Sequence, residues 1–389
     1  MLIERTIYPA IESVLSATEA IVITGMRRVG KTTLLKTILE RIDSSNKIYL
    51  DLENPRNQLY FEQTDYDAIL ANLQLLGLNK NERMYVFLDE IQRVKNIPSV
   101  VKYLLDTYEI KFILSGSSSY YLKNQFSESL AGRKYIFELH PLSFDEFLQT
   151  KKLPIAPAIN PDTPVSLAHY ETYKACMDEY LQFGGFPGVV QKTSLAEKQA
   201  ALEDIFTSYY QLEVLQMSDF RKSHKIRDLL LLLLERTGSK LEISKLCSLL
   251  GLARETVSDY LAFLQGTYFI HLVPPFSTNR DVEIRKATKL YICDPGLARH
   301  FAQLNEGALF ENAVYCNLHQ KGRVQYYQRK NGLEIDFILK NQGYEVKLHP
   351  HKDDIRKAQV LGTEIGLSST QIVSRDHVSL PGVINIFHL

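Results

Sequence analysis

Short apolar runs alternate with longer amphipathic stretches over the first third of this 389-residue sequence. Continuous apolar runs are typical of strands in a parallel sheet that is covered by helices on both faces. Five such runs predict strands at residues 21–24, 48–50, 84–88, 112–115 and 135–139. We therefore expect a parallel α/β domain over residues 1–140.

The pattern changes three times after this domain. Proline and glycine clusters flank helical periods over residues 141–222, which predicts a helical lid with loops and a linker. Residues 223–300 contain three helical periods followed by a short apolar strand, the outline of a winged helix. Residues 301–389 alternate helix and strand patterns, which predicts a second, smaller α/β domain.

Composition narrows the functional classes. The chain has 45 basic and 45 acidic residues, so its net charge of +0 gives no general attraction to nucleic acid or an anionic membrane. Charged residues at Glu4, Arg5 and Glu12 interrupt the first apolar segment, and the longest aliphatic run, 229–234, is far shorter than the roughly 18 residues of a bilayer span. Four scattered cysteines form no CxxC pair. We expect a cytoplasmic protein that makes no membrane contact.

One short segment has a phosphate-binding pattern. Residues 25–32 match GxxxxGK[ST], directly after a predicted strand and before a predicted helix. Backbone amides in such a loop cradle phosphates, the lysine reaches the outer phosphates, and the next hydroxyl holds Mg²⁺. The pattern predicts a catalytic role for Lys31. The residues predicted to contact the nucleotide are Gly25, Arg27, Arg28, Gly30, Lys31, Thr32 and Thr33.

An acidic pair ends the apolar strand at residues 84–88. Asp89 and Glu90 fall at the sheet edge where ligands bind in parallel α/β folds. We expect Asp89, with Thr32, to orient Mg²⁺, and we expect Glu90 to polarise the attacking water. The alternative is a solvated acidic strand end, which the upstream phosphate-binding loop disfavours. The two motifs together predict an ATPase with ATP and Mg²⁺ as cofactors.

Two further side chains are candidates for the same site. Ser117 follows the strand at 112–115, where a polar group can sense the γ-phosphate, although a serine-rich turn is an equal alternative. Arg133 precedes the fifth predicted strand and is a candidate arginine finger. Arg27 and Arg28 are candidates for contacts to phosphate or to a neighbouring chain. For each arginine, an ordinary exposed side chain is an equally good interpretation.

Several motifs occur together in one prokaryotic family. They are GMRRVGKTTLL at 25–35, FLDEIQR at 87–93, SGSSS at 115–119, LAGR at 130–133, HPLSFDEF at 140–147, GGFPGVV at 184–190, YICDPGLA at 291–298 and FENAVYCNL at 310–318. On these motifs the chain resembles, over nearly its whole length, AAA-type P-loop ATPases whose C-terminal domain of unknown function is related to PD-(D/E)xK nucleases. The resemblance implies a multidomain α/β protein: an AAA-type domain, a winged helix and a restriction-endonuclease-like domain. It identifies no substrate.

Four polar residues near the C-terminus have the order of a nuclease metal site. Glu311 lies on a predicted helix and Asp336 on a predicted strand. Glu345 and Lys347 are separated by one residue, so they share a face of the next strand. The carboxylates predict a second divalent metal site, with Lys347 positioned to orient a nucleophile. A solvated face of carboxylates and lysines is the competing interpretation.

The predicted partners are DNA, a protein or a second copy of the chain. The predicted recognition helix, residues 254–264, exposes acidic side chains that would repel DNA, and the nearby basic cluster is Arg285, Lys286 and Lys289. One hypothesis is a DNA-directed machine in which ATP repositions the winged helix and nuclease-like domain. The other is an ATP-dependent switch with a degenerate C-terminal domain that binds protein. Converging C-terminal carboxylates would favour the first hypothesis, and splayed ones the second.

Overall fold

The computed structural model describes residues 3–116, 130–157, 163–215, 223–277, 287–329 and 331–389. The chain divides into two compact units. The P-loop unit contains Glu4–His140 and Gly266–Tyr268, and the second unit contains Pro141–Gln265 and Phe269–Leu389. The expected boundary after residue 140 lies at the junction of the two units, whereas those after residues 222 and 300 fall inside the second unit.

The P-loop unit is built on a parallel sheet. Its strands are β1 (Ala20–Thr24), β2 (Lys47–Asp51), β3 (Met84–Asp89), β4 (Ile110–Gly116) and β5 (Lys134–Glu138), in the spatial order β2-β3-β4-β1-β5. Its helices are α1 (Tyr8–Glu12), α2 (Lys31–Arg41), α3 (Pro55–Gln58), α4 (Tyr66–Leu75) and α5 (Ile97–Thr107). Every strand pair is parallel, which confirms the predicted parallel α/β domain.

The strand order determines where a ligand can bind in this sheet. β1 and β4 are buried along their whole length because each has a strand on both sides. The register pairs Thr24 with Gly116 and Leu88 with Leu114, so β1, β3 and β4 end at the same edge. Parallel strands that end together form the edge where α/β proteins bind ligands.

The second unit combines helices with two sheets. Its helices are α6 (Phe144–Thr150), α7 (Leu167–Phe183), α8 (Pro187–Val190), α9 (Leu195–Tyr209), α10 (Ser223–Glu235), α11 (Ile243–Leu250), α12 (Arg254–Gly266), α13 (Pro295–Phe301), α14 (Glu306–His319) and α15 (Lys352–Glu364). Its strands are β6 (Ile270–Val273), β7 (Lys289–Ile292), β8 (Gln325–Gln328), β9 (Glu334–Leu339), β10 (Gln342–Lys347), β11 (Ser369–Ser374) and β12 (Val383–Ile384). None of the helices in the described ranges combines the length and the apolar character that a bilayer span requires.

The two sheets of the second unit have different topologies. β6 and β7 form an antiparallel pair after α10, α11 and α12, in the order expected of a winged helix, whose assignment stays a prediction. The larger sheet has the order β12-β11-β10-β9-β8. Lys340 and Asn341 join β9 to β10 with φ of 47° and 66°, as a tight type I′ turn requires. This turn fixes the register that pairs Tyr344 with Phe337, and its continuation places Glu345 opposite Asp336.

A buried aspartate joins two of the sequence motifs in this unit. Asp294 accepts a hydrogen bond from the Leu297 amide at 3.0 Å and caps α13. Its other oxygen accepts one from the Gly185 amide at 2.7 Å. Gly184 has φ of 73°, and a Cβ there would lie 2.0 Å from Asp294 Oδ1. A glycine at position 184 is therefore needed for this close packing.

Two asparagines make similar long-range contacts. Asn317 Oδ1 accepts a hydrogen bond from the Phe144 amide at 2.7 Å, and Asn312 Oδ1 accepts one from the Ile292 amide at 2.9 Å. Tyr180 donates to the Leu142 carbonyl at 3.0 Å. Because these buried bonds connect the segments 141–222, 223–300 and 301–389, the three segments pack together as one compact unit.

We predict that Gly184→Ala lowers the free energy of unfolding by about 3 kcal/mol, because a left-handed residue gains a Cβ that clashes with Asp294. Chemical denaturation followed by circular dichroism measures the change. Gly188→Ala is the matched control in the same motif, since no heavy atom lies within 4 Å of its added Cβ. Equal stability of the two variants would contradict the steric argument.

Candidate functional site

The phosphate-binding loop joins β1 to α2. Gly25 and Gly30 have φ of 152° and 99°, and a Cβ on Gly25 would lie 2.2 Å from the Leu139 carbonyl oxygen. Both glycines are therefore required by the backbone path of the loop. Gly30 immediately precedes the first residue of α2, so the free amides of that helix face the loop.

Lys31 lies across this loop. Its ammonium donates to the Gly25 and Met26 carbonyl oxygens, each at 2.9 Å, and the residue is only 5% exposed. A phosphate held in the loop would compete with these two carbonyls for the same ammonium. The Lys31 ammonium therefore lies against the phosphate-binding loop, where the GxxxxGK[ST] pattern requires the lysine that contacts phosphate.

Asp89 is the centre of a hydrogen-bond network at the sheet edge. It is 2% exposed and accepts from the Thr32 hydroxyl at 2.6 Å and from the Tyr49 hydroxyl at 2.9 Å. Ser115 donates to its other oxygen, as does the Glu90 amide at 3.1 Å. The network joins a hydroxyl and a carboxylate, which are oxygen donors of the kind that Mg²⁺ prefers.

Tyr49 and Ser115 were not predicted as members of this site. Burial, reinforced by the charge of Asp89, raises the pKa of the Tyr49 hydroxyl, so it stays a donor at neutral pH. Ser115 is fully buried at the end of β4, next to the end of β3. A polar residue that ends an apolar strand run was the available signal for Ser115.

Glu90 follows Asp89 at the same edge. Its φ of 54° and ψ of 45° place it in the left-handed region, which is uncommon for a residue with a side chain. The Gln92 amide group donates to one of its carboxylate oxygens, and the side chain is half-buried. Backbone strain of this kind is frequent at functional sites.

The remaining loop candidates differ in exposure. Arg27 is partly buried, whereas Arg28 is exposed and has a left-handed φ of 67°. Thr33 lies on the exposed face of the first turn of α2. Ser117 lies outside the described residues.

Arg133 does not reach the nucleotide edge of its own chain. Its carbonyl accepts a hydrogen bond from the Ala20 amide at 2.9 Å, which places it at the start of β1. The strand to Thr24 spans about 16 Å at roughly 3.3 Å per residue. Its side chain instead forms an exposed ion pair with Asp106 at 2.7 Å. The assignment of Arg133 as a candidate arginine finger stays a prediction.

Two long-range contacts hold the ends of the phosphate-binding loop. The buried Arg5 guanidinium donates to the Val29 carbonyl at 2.9 Å and to the His140 carbonyl at 2.6 Å. Thr24, directly before the loop, shares a hydrogen bond of 2.6 Å with the Tyr268 hydroxyl. An arginine within an apolar N-terminal segment was the only sequence signal for the first contact, and none existed for the second.

The four C-terminal candidates come together in the second unit. The Val346 amide donates to Asp336 Oδ2 at 2.9 Å, and Lys347 donates to Glu345 Oε1 at 2.7 Å. Asp336 and Glu345 are 4% and 7% exposed, and Glu311 contributes from α14. The second Glu345 oxygen is buried and has no hydrogen-bond partner among the described residues.

Lys289 enters the same cluster. Its ammonium lies 3.0 Å from Asp336 Oδ1, 3.2 Å from Glu311 Oε1 and 3.6 Å from Glu334 Oε2. Because Lys289 is only 4% exposed, its expected place in a basic surface cluster is wrong. Arg285 and Lys286, the other members of that predicted cluster, lie outside the described residues.

Burial raises the pKa of two carboxyl groups in this cluster. Burial and the neighbouring Asp336 raise the pKa of Glu345 to about 8. They also raise the pKa of Glu311 to about 7, although Lys289 and the Tyr291 hydroxyl, which donates at 2.6 Å, act in the opposite direction. Burial alone would lower the pKa of Lys289, but the carboxylates outweigh it and raise that pKa well above its ordinary value.

The cluster lacks the spacing of a closed metal site. Among the described residues, no three of these carboxylates bring one oxygen each within 4.8 Å of one another. Mg²⁺ needs oxygen ligands about 2.1 Å from the ion. The side chains therefore converge, as the nuclease hypothesis expects, but around an ammonium group.

Two family models match separate parts of the chain. Residues 17–148 match an AAA domain, and residues 175–308 match a domain of unknown function, DUF8612. The first match contains the loop, the Asp89 network and all five strands of the parallel sheet. The match and the parallel sheet together support an AAA-type P-loop fold for residues 17–148. The relation of the second unit to nucleases has no support from either match.

Similar proteins cover most of the chain. Uncharacterized protein MJ1544 of Methanocaldococcus jannaschii is 27% identical over 84% of this chain and 73% of its own length. An uncharacterized protein of Haemophilus influenzae is 26% identical over 86% of this chain and 84% of its own. The structure of the Aeropyrum pernix ORC1 protein in complex with DNA is 13% identical, covers 80% of this chain and 94% of its own, and has a TM-score of 0.34. That score is too low to support any functional comparison.

We predict a pH effect on stability from Glu345. A carboxyl group with a raised folded-state pKa stabilises the fold most below its ordinary pKa of 4.5, and this contribution is lost as pH rises through about 8. Between pH 6 and 8.5, the free energy of unfolding should fall by at least about 1 kcal/mol more in wild type than in Glu345→Gln. Thermal and urea unfolding across this range measure the difference. Glu364→Gln, at an exposed position, is the control, and identical profiles for wild type and Glu345→Gln would exclude the effect.

Proposed function

We propose that the P-loop unit is a Mg²⁺-dependent ATP hydrolase. The observation that carries this proposal is the 2.6 Å hydrogen bond between Thr32 and Asp89, made by the residue that follows Lys31 of the glycine loop. A hydroxyl and a carboxylate at this distance suit a shared Mg²⁺ ion and its water shell. When bound, Mg²⁺ neutralises charge on the phosphate oxygens.

The side chains of the site have separate roles in this proposal. Lys31 exchanges its two carbonyl acceptors for phosphate oxygens, and the loop amides at the start of α2 bind the same phosphates. Glu90 orients a water molecule and accepts its proton as the water oxygen bonds to the γ-phosphorus; the bond from that phosphorus to the β,γ-bridging oxygen of ATP breaks, and ADP leaves with this oxygen. Gln92 holds the Glu90 carboxylate by donating to it.

Asp89 would need partners that keep it fixed when the Thr32 hydroxyl holds the metal ion instead of donating to it. Tyr49 and Ser115 supply them, since each donates to one oxygen of the carboxylate. We therefore assign both hydroxyls as positioning residues rather than catalytic ones. Arg27, Arg28 and Ser117 remain candidates for contacts to phosphate.

For the second unit we favour an ATP-dependent switch over DNA cleavage. The order of Glu311, Asp336, Glu345 and Lys347 and their convergence support a nuclease-like site. The Lys289 ammonium among the carboxylates opposes it, because that cation already compensates the charge that a catalytic metal would. In this proposal the nucleotide state changes the affinity of the second unit for a partner, which is a protein, a second copy of the chain or DNA.

The ATPase proposal predicts different defects for two substitutions. Lys31→Ala should weaken ATP binding at least tenfold, because the loop loses its phosphate-binding ammonium. Glu90→Gln should keep ATP affinity within about threefold while kcat falls about 100-fold or more, because it keeps shape but loses the base. Calorimetric ATP binding and phosphate release measure the two effects. Glu40→Gln, an exposed glutamate on α2, is the control, and equal turnover by wild type and both site variants would reject the assignment.

The switch proposal predicts that the wild-type protein does not cleave DNA. Supercoiled and linear DNA are incubated with Mg²⁺ or Mn²⁺, with and without ATP, and products are separated on gels. Cleavage should not exceed that of the Asp336→Asn/Glu345→Gln double variant, because Lys289 occupies the acidic cluster. Metal-dependent cleavage that disappears in the double variant would establish the nuclease hypothesis instead.

A further inference from the structure

The second unit places a positive charge of its own among four acidic side chains. We name these residues, Glu311, Glu334, Asp336 and Glu345, the acidic cluster. We propose that the Lys289 ammonium is the resident cation of the acidic cluster, which binds a divalent metal ion only when this lysine is removed. The proposal does not depend on ATP hydrolysis, which occurs in the other unit.

Distances around Lys289 fit an ammonium group. Its three carboxylate contacts are 3.0, 3.2 and 3.6 Å long, the range of ion pairs and hydrogen bonds. Metal-oxygen bonds are about 2.1 Å for Mg²⁺ and about 2.3–2.6 Å for Ca²⁺. Carboxylates spaced around an ammonium must therefore move inward before they can share a metal ion.

The backbone and an aromatic ring fix Lys289 in place. It is the first residue of β7, where it pairs with Val273 of β6, and its carboxylate partner Asp336 lies on β9. The ammonium is 5.7 Å from the centre of the Tyr326 ring. Tyr326 is itself held by its hydroxyl, which donates to the Ala287 carbonyl at 2.5 Å. Among the described residues Lys289 is therefore enclosed, with only 4% of its surface exposed.

The cluster has unused binding capacity that a metal ion can take up. Glu345 is 7% exposed, yet its second oxygen is buried and finds no hydrogen-bond partner in the part of the chain that the structure describes. The β9–β10 register places this residue opposite Asp336 on the neighbouring strand. Removing the Lys289 charge would leave buried carboxylates without their main counter-charge, and a divalent cation is the simplest replacement.

The test is Mn²⁺ binding by the full chain without nucleotide, followed by electron paramagnetic resonance. Lys289→Met should bind one more Mn²⁺ ion per chain than wild type. The affinity of its acidic cluster for Mn²⁺ should be at least tenfold higher than that of the wild-type cluster. Lys240→Met is the matched control, because Lys240 is exposed, pairs with Lys289 across the backbone and lies 5.9 Å from the same tyrosine ring. It should bind Mn²⁺ as wild type does. The added site should disappear in Lys289→Met/Asp336→Asn.

The unfolding temperature provides a second test in case Lys289→Met folds poorly. Mn²⁺ should raise the unfolding temperature of Lys289→Met by several degrees in a concentration-dependent way and leave wild type unchanged. Lys289→Arg, which keeps the charge, should gain no Mn²⁺ site. Two results would overturn the proposal: a wild-type Mn²⁺ site that Asp336→Asn removes, or a Lys289→Met variant that Mn²⁺ neither binds nor stabilises.

Discussion

Buried carboxylates need hydrogen-bond donors or a counter-charge, and this constraint organises both units. An ionised carboxylate taken out of water without partners is too unstable to persist, so each one draws other segments around it. Asp89 draws together β2, β4 and α2 at the nucleotide edge. Asp294 binds the amides of Gly185 and Leu297, and Asp336 binds Lys289 and the Val346 amide. Each of the three aspartates therefore holds together segments that are distant in the sequence.

The kind of donor separates the two acidic sites. The hydrogen-bonding side chains around Asp89 are the hydroxyls of Thr32, Tyr49 and Ser115, which orient the carboxylate without cancelling its charge. Such a carboxylate still gains from a cation, which suits a site that binds Mg²⁺ with each nucleotide. Asp336 has an ammonium partner, so its charge is already compensated inside the fold. The surroundings of Asp89 therefore favour metal binding, whereas those of Asp336 oppose it.

Local patterns predicted the parts of the fold that depend on neighbours in sequence. The five apolar runs, the glycine loop and the two acidic residues after β3 all lie in short continuous segments. The Lys289 contact to Asp336 spans 47 residues, and the Asp294 contact to Gly185 spans 109. No periodicity encodes such contacts, because a surface lysine and a buried one have the same sequence signature. The position of Arg133 shows the same limit, since its place in the motif gave no information about which sheet edge it occupies.

The sequence motifs of the second unit indicate how the unit packs more directly than they indicate its chemistry. GGFPG and DPG meet where Gly184 leaves no room for a side chain beside Asp294. FENAVYCNL supplies Asn312 and Asn317, which bind the amides of β7 and α6 segments. A resemblance based on these residues therefore indicates the fold of the unit and does not identify a reaction. The same holds for the order of Glu311, Asp336, Glu345 and Lys347. A sheet register can keep these side chains together while a lysine from another strand takes over the role of the cation, so the order alone does not require a metal-dependent activity.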